Sequence, residues 1–194
     1  YEISCSLVGS EMCIRDRVGS LTKQGADSTF LTDTVRRIAA ALNIPEAEWL
    51  RKMPDSFMLS ADNAHAVHPN YTEKCDQTNR CYLNGGIVIK YNANQRYTTD
   101  AVSGAVFQAI CQEAGVPVQR YSNRADLPGG STLGNISTAH LSVPTVDIGL
   151  PQLAMHSCYE TAGARDIVSL IRLMEEFYAS HFEETASGTL AICK

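Results

Sequence analysis

Apolar residues recur at helical spacing over residues 28–42, where Phe30, Leu31, Val35, Ile38, Ala39 and Leu42 form one stripe. This predicts a helix that buries the stripe, with Asp27 or Ser28 able to cap its start. A short helix over 45–52 follows, and then an apolar strand-like run opening at Phe57. Residues 86–91 (Gly-Ile-Val-Ile-Lys-Tyr) read as a second buried strand. Residues 99–113 read as a helix capped by Thr98 or Thr99, with Ala101, Val102, Ala105, Val106, Ala109 and Ile110 inward and Gly115 as its terminator. Further strands are expected at 116–120 and 143–148. A last amphipathic helix over 162–178 runs through Ile167, Leu170, Ile171, Met174 and Phe177. Strand, helix, strand alternation predicts an α/β fold with a largely parallel sheet flanked by helices. No internal repeat or linker divides residues 18–180.

The two ends break this order. Residues 1–17 show neither a helical nor a strand period, and their Val8-Gly9-Ser10 recurs as Val18-Gly19-Ser20. They are read as an artefactual translation joined to the true frame near Val18 and are set aside from fold reasoning. Residues 181–194 also lose any period and are read as a frayed or spurious tail.

Composition narrows the partner classes. With 44% hydrophobic and 19% charged residues in 194, the chain is able to bury one core. A net charge of −5 without a Lys/Arg cluster argues against nucleic acid and anionic membranes as partners. No apolar run approaches the ~20 residues of a membrane span, and no signal-peptide pattern is seen, so a cytoplasmic location is expected. The seven cysteines include no C-x-x-C pair, which favours reduced thiols. Cys75 and Cys81, separated by a polar loop, leave a disulfide or soft-metal clip conceivable beside the commoner reading of ordinary loop cysteines.

Candidate chemistry gathers after the predicted strands. The run from Phe57 ends in Asp62, His65 and His68, three potential metal ligands placed where a parallel strand delivers side chains to the sheet's carboxyl edge. Turn capping by Asp62 and backbone bonding by either histidine are the ordinary alternatives. A second apolar run ends near Gly149 and leads to His156, again just past a buried strand. Asp147, inside that run, suits a supporting partner of a ligand or a bond to nearby backbone donors. Glu160 is a further supporting candidate. The glycine-rich turn over residues 126–134 (Asp-Leu-Pro-Gly-Gly-Ser-Thr-Leu-Gly), able to open a short helix, offers backbone N–H groups to a carboxylate or a developing oxyanion, without the order of a P-loop and with a plain tight turn as the ordinary alternative. Lys90, at a strand end, is a candidate partner for substrate charge.

These motifs together resemble the aspartyl aminopeptidase family, dizinc exopeptidases of metallopeptidase family eighteen. The resemblance covers about residues 18–180. It rests on Val18-Gly19-Ser20, Lys23-Gln24-Gly25-Ala26-Asp27-Ser28, the stretch Ser60-Ala61-Asp62-Asn63-Ala64-His65-Ala66-Val67-His68-Pro69-Asn70, Val88-Ile89-Lys90 with Asn92-Ala93-Asn94-Gln95-Arg96-Tyr97, Gly130-Ser131-Thr132-Leu133-Gly134, and Asp147-Ile148-Gly149-Leu150-Pro151-Gln152-Leu153-Ala154-Met155-His156-Ser157. It implies that Asp62 binds one zinc and His156 the other, that His65 and Lys90 contact substrate, and that His68, Asp147, Gly130 and Ser131 support the site. In such enzymes two zinc ions polarise the scissile carbonyl and activate a water, from which a glutamate takes the proton.

The family places a Glu-Glu pair before Val-Gly-Ser, a base and a zinc ligand, whereas this chain has Asp16-Arg17. No catalytic residue is therefore assigned. The family's remaining zinc-binding histidine, bridging aspartate and inserted β-rich domain precede that pair, so the resemblance implies the C-terminal part of a catalytic domain and an incomplete dizinc exopeptidase-like fold. The expected function is that of a fragment of a zinc aminopeptidase that releases N-terminal residues, acidic ones included, from peptide substrates. The intact enzyme is expected to be a homo-oligomer, and the chain as written is expected to be inactive. A truncated non-catalytic paralogue that binds partner subunits, or a related dizinc amidohydrolase or carboxypeptidase, is the alternative.

Overall fold

The computed structural model describes residues 21–193 except 24, 125, 128, 187 and 188. The Val18-Gly19-Ser20 motif, the Asp16-Arg17 pair and the segment read as artefactual lie outside the described residues.

A four-stranded sheet organises the chain. Its strands are β1 (Met58–Ala61), β3 (Ile87–Tyr91), β4 (Val118–Ser122) and β5 (Thr145–Gly149), in spatial order β1-β5-β3-β4. The outer pairs β1/β5 and β3/β4 are parallel, as the alternation of strands and helices predicts, while β3 and β5 meet antiparallel at Ile89↔Ile148. The sheet is thus largely parallel with one antiparallel seam. A smaller sheet continues from its edge, with β2 (Ala64–His65) parallel to β6 (Pro151–Leu153), which pairs antiparallel with β7 (Thr161–Ala162).

The period of two in β3 divides its side chains between two environments. Ile87 and Ile89 face a core shared with Val146 and Ile148 of β5, Val106, Phe107, Ile110 and Cys111 of helix α3 (Ala101–Glu113), and Leu173 of helix α4 (Ala164–Ala179). Val88 points the other way, against Ala64, Cys81 and Tyr121. Lys90 shares the face of Val88, and this is the side on which the cleft opens.

Helix α3 starts one residue later than the threonines predicted to cap it. Asp100 is its N-cap, accepting from Ser103 N at 2.7 Å while Asp100 N donates to Ser103 Oγ at 3.0 Å, a reciprocal capping box. Its buried face carries Ser103, Gly104, Val106, Phe107, Ile110 and Cys111, whereas Ala101, Ala105 and Ala109 are exposed. The larger side chains reach the sheet and the alanines face solvent. The helix ends as expected at Gly115, whose φ of +64° lets Val116 N return to Cys111 O at 2.8 Å.

Three further expectations are corrected. Helix α1 (Phe30–Ala41) forms, but only Ala39 of its stripe is buried, with Phe30 55%, Ile38 54% and Leu42 65% exposed. Periodicity identifies an apolar stripe without saying what covers it. Among the described residues α1 packs against the short helix α2 (Glu46–Arg51). Asp27 does not cap α1; its carboxylate lies 2.7 Å from His140 Nε2, while Ser28 Oγ accepts from Phe30 N at 3.2 Å. In α4, Ile167 and Ile171 are exposed and Asp166 and Leu173 are buried, while the expected Leu170 and Phe177 pack partly buried against the core.

The segment after Ser180, read as having no element, forms an antiparallel hairpin of β8 (His181–Ala186) and β9 (Thr189–Cys193). Phe182 is buried and stacks on Phe57 at 5.1 Å between ring centroids, with Phe177 at 5.6 Å. An aromatic cluster seats the hairpin, and such long-range packing leaves no local period in the sequence. Among the described residues no helix is long and apolar enough to cross a membrane.

Candidate active site

A cleft of about 440 Å³ opens beside β2 and β6, where the larger sheet hands over to the smaller one. Asp62, His65, His68, Lys90, Gly130, Ser131 and His156 all line it. Residues up to 94 positions apart in sequence therefore converge as the motif reading requires. The parallel pairing of β1 with β5 explains the convergence of Asp62 and His156, because both chains leave the sheet at the same edge.

Asp62 is held by its backbone. Its N–H donates to Ile148 O at 3.0 Å, continuing the β1/β5 ladder, and its carbonyl accepts from Lys90 Nζ at 2.8 Å. Gly149 is what allows the chain to pass here: a Cβ at that position would stand 2.0 Å from Asp62 O and 2.9 Å from Ala64 N. Asp62, anchored through its backbone, lines the cleft.

Lys90 is only 2% exposed, a buried cation. Its ammonium donates to Asp62 O and to Asn63 O, the latter at 3.3 Å, and lies 5.5 Å from the centre of the Tyr97 ring. Burial of a charge needs such partners. Tyr97 in turn donates from its hydroxyl to Asn123 Oδ1 at 3.3 Å.

His156 sits in the loop after β6 with a φ of +68°, and Ala154 two residues earlier has +53°. Left-handed backbone at two non-glycine residues is uncommon and is held by local bonds: His156 N donates to Glu160 Oε1 at 2.6 Å and Ser157 N to Ala154 O at 3.0 Å. Glu160 thus supports His156 through the backbone. His65, on β2 opposite Gln152, reaches the same cleft. His68 is turned toward its own loop, its Nδ1 accepting from Asn70 N at 3.2 Å and its ring 5.1 Å from Tyr71.

Asp147 departs from the expectation of a supporting role at the ligands. It is fully buried outside the cleft, where its Oδ2 accepts from Thr98 N at 2.6 Å and Thr98 Oγ1 at 2.8 Å. In β5 it alternates with the core residues Val146 and Ile148, and that alternation points it at the chain entering α3 rather than at Asp62. Of its two sequence readings, bonding to backbone donors is the one observed.

Tyr97, Tyr121, Asn123 and Arg124, which the sequence reading did not single out as site residues, and Thr132 of the glycine-rich turn also line the walls. Thr132 Oγ1 and Asn123 Nδ2 are buried there without a hydrogen-bond partner, polar atoms that a bound ligand is placed to satisfy. Burial raises the Tyr121 phenol well above its ordinary value, with Tyr97 and the two nearby thiols adding to the effect, so it stays a neutral hydroxyl. Tyr97 could have been found from its place within the Asn92–Tyr97 motif. Asn123 and Arg124 lie in a loop after β4 with no periodic signal.

A carboxylate and an imidazole facing one cleft fit zinc in kind. In number they fall short, because among the described residues no group of three His, Cys, Asp or Glu side chains is placed to hold a metal ion.

A mixed sheet flanked by helices, with donors at the edge where two parallel strands end, defines the class as an α/β fold of the dizinc exopeptidase type. Comparison with known proteins makes this specific. The family model for aminopeptidase I zinc metalloproteases (M18) matches residues 12–178, and the chain belongs to that family. The family is one of zinc-dependent aminopeptidases. A probable M18 family aminopeptidase 2 of Clostridium novyi is 50% identical over 163 residues, which are 84% of this chain and 38% of the relative. Ape4, in the cryo-EM structure of its complex with Nbr1, superposes with a TM-score of 0.78 at 41% identity, over 84% of this chain and 31% of that one. The Saccharomyces mApe1 dodecamer gives a TM-score of 0.69 at 27% identity, over 84% and 35%. The chain thus spans less than half the length of these relatives.

Proposed function

We propose that this chain is the C-terminal part of the catalytic domain of a zinc aminopeptidase that removes N-terminal residues, acidic ones included, from peptides. The observation that carries the reading is the convergence of Asp62, His65, Lys90 and His156, from three separate segments, on one cleft. Asp62 and His156 each donate to one of two zinc ions, which when bound supply Lewis acidity and a water of lowered pKa. The ammonium of Lys90 fixes the Asp62 main chain and sets the positive charge of the cleft wall. His65 meets the substrate beside it, and Thr132 and Asn123 offer their unsatisfied polar atoms to the peptide backbone. Gly130 and Ser131 shape the opposite wall.

In this reading the 194-residue chain alone binds zinc weakly and turns over no peptide, since two donors are fewer than the three or four of durable sites. The intact enzyme works in the cytoplasm as a homo-oligomer. Free thiols at Cys75, Cys81, Cys111, Cys158 and Cys193 support a reducing compartment, and the dodecameric relative supports assembly. Neither nucleic acid nor membrane is a partner, in keeping with the net charge of −5.

The test is release of a free amino acid from glutamyl- and leucyl-peptides by the purified chain with zinc, beside Asp62→Ala. No release from either protein is expected. Zinc-dependent release that Asp62→Ala abolishes would overturn the inactivity of the chain while keeping Asp62 in the site.

A further inference from the structure

A short helix, Leu133–Ser137, follows the glycine-rich turn of the cleft wall, and Thr132 stands at its N-cap position in extended backbone (φ −117°, ψ 173°). A threonine at that position ordinarily accepts from the N–H two or three residues on. Thr132 makes no such bond; the N–H two residues on, Gly134 N, donates instead to Ser60 Oγ at 2.8 Å. The fit at Gly134 is close. A Cβ there would meet Ser60 Cβ at 2.8 Å, Thr98 Oγ1 at 2.8 Å and Asp147 Oδ1 at 2.9 Å, so only glycine lets the helix start seat against β1. Ser60 lies two residues before Asp62, so the strand that leads to the candidate metal ligand also captures the turn that shares its cleft.

This capture leaves the Thr132 hydroxyl without a task inside the fold. Thr132 is 2% exposed and lines the cleft, and its Oγ1 has no hydrogen-bond partner among the described residues. A hydroxyl buried in that way costs free energy until something bonds to it. The same turn brings up a second such atom. Gly129, whose carbonyl accepts from Arg96 Nη1 at 2.9 Å, packs so closely on the Asn123 amide that a Cβ at 129 would stand 1.7 Å from Nδ2. The Tyr97 hydroxyl donates to Asn123 Oδ1 at 3.3 Å, while Nδ2 is buried without a partner among the described residues. Nδ2 only donates, whereas Thr132 Oγ1 donates and accepts. Between them they can serve the carbonyl and the N–H of a peptide group.

We propose that Ser60 is a positioning residue of the cleft: by holding Gly134 N it keeps the Thr132 hydroxyl from capping its own helix and reserves it, with Asn123 Nδ2, for a peptide group of the substrate. The inference rests on the aminopeptidase reading and deepens it. In Ser60→Ala, Gly134 N loses its acceptor, and Thr132 Oγ1 takes up that N–H as an ordinary N-cap. The hydroxyl is then occupied by the helix and lost to the cleft.

The experiment titrates the dipeptide glutamyl-leucine into the 15N-labelled 194-residue chain in EDTA, following the Asn123 side-chain amide signal, which is assigned by its absence in Asn123→Asp. Thermal unfolding of each variant is measured without peptide. The parent is expected to give a saturable shift. Thr132→Val, which keeps the shape and removes the hydroxyl, is expected to bind about fivefold more weakly and to unfold no lower than the parent, because a buried hydroxyl without a partner has been taken away. Ser60→Ala is expected to weaken binding by a similar factor. The double variant Ser60→Ala/Thr132→Val is expected to bind as Thr132→Val does, since both changes act on one hydroxyl, a non-additivity that a merely structural Ser60 does not produce. Unfolding of Thr132→Val clearly below the parent would show the hydroxyl satisfied within the chain and overturn the proposal. Unchanged affinity in Thr132→Val, or losses that add in the double variant, would overturn it too. Absence of any shift in the parent overturns this inference alone where zinc binding still depends on Asp62, and the aminopeptidase reading with it where that dependence is also missing.

Discussion

Lys90 Nζ donates to the carbonyl oxygen of Asp62 at 2.8 Å, so a buried cation on the antiparallel strand of the sheet grips the main chain of the candidate metal ligand on its edge strand. The link runs through the backbone of a residue that lines the cleft. Replacing Lys90 by Met keeps the length and apolar stem and removes the grip. Stability is expected to change little, because the ammonium's desolvation cost offsets its hydrogen bonds. Zinc affinity is expected to fall about 10-fold, the low end for outer partners of ligands. Zinc titration beside thermal unfolding of Lys90→Met checks both halves.

Gly149 makes a separate, steric contribution. Gly149→Ala places a methyl group 2.0 Å from Asp62 O, against backbone that cannot swing aside. Urea unfolding is expected to show a loss of about 3 kcal/mol, at the upper end of ordinary overpacking costs. A loss below about 0.5 kcal/mol would mean that the β1 exit is not anchored as described.

Alkaline pH probes the core through its thiols. Burial raises both Cys81 and Cys111 from 9.0 to about 12 in the folded chain. Above pH 9 the unfolded state gives up these protons while the folded state keeps them. Stability is therefore full below pH 9 and is lost as pH rises through the window from 9.0 to about 12. Each thiol contributes a slope of about 1.4 kcal/mol per pH unit within that window. Denaturant unfolding at pH 8 to 11 (about one-unit steps) measures it, and Cys111→Ala or Cys81→Ala is expected to flatten the slope by one proton each.

The His156 loop depends on Glu160. Removing its carboxylate in Glu160→Ala deprives His156 N of its partner and frees a left-handed residue to relax. Zinc affinity is expected to fall several-fold while overall stability stays within about 0.5 kcal/mol, since the loop is exposed. Glu160→Gln, which keeps an acceptor oxygen, is expected to recover most of the affinity.

Much of this architecture is legible along the chain because local rules act locally. The β3 run, the span of the α3 helix and its stop at Gly115 follow from period and backbone preference, although the cap falls on Asp100 and the alanines expected inward face solvent. The motif residues Asp62, His65, Lys90 and His156 do share one cleft. Features that depend on distant partners were not legible. The β8/β9 hairpin is seated by Phe57 and Phe177, the antiparallel seam of β3 with β5 depends on how the crossovers run, and Asp147 is claimed by Thr98 of another element. Asn123 enters the cleft only because β4 lies beside β3, which places its loop beside Tyr97. The stripe of α1 shows the opposite failure, since an apolar period was read as burial and most of it faces solvent.

The most direct test of the account is zinc titration of the 194-residue chain, followed calorimetrically for the parent, Asp62→Ala, His156→Ala and the double variant. The account predicts weak binding by the parent, a clear loss in each single variant and none left in the double one, with all four proteins unfolding at similar temperatures. Binding of equal strength in the parent and the double variant would contradict the assignment of Asp62 and His156 as the chain's zinc donors.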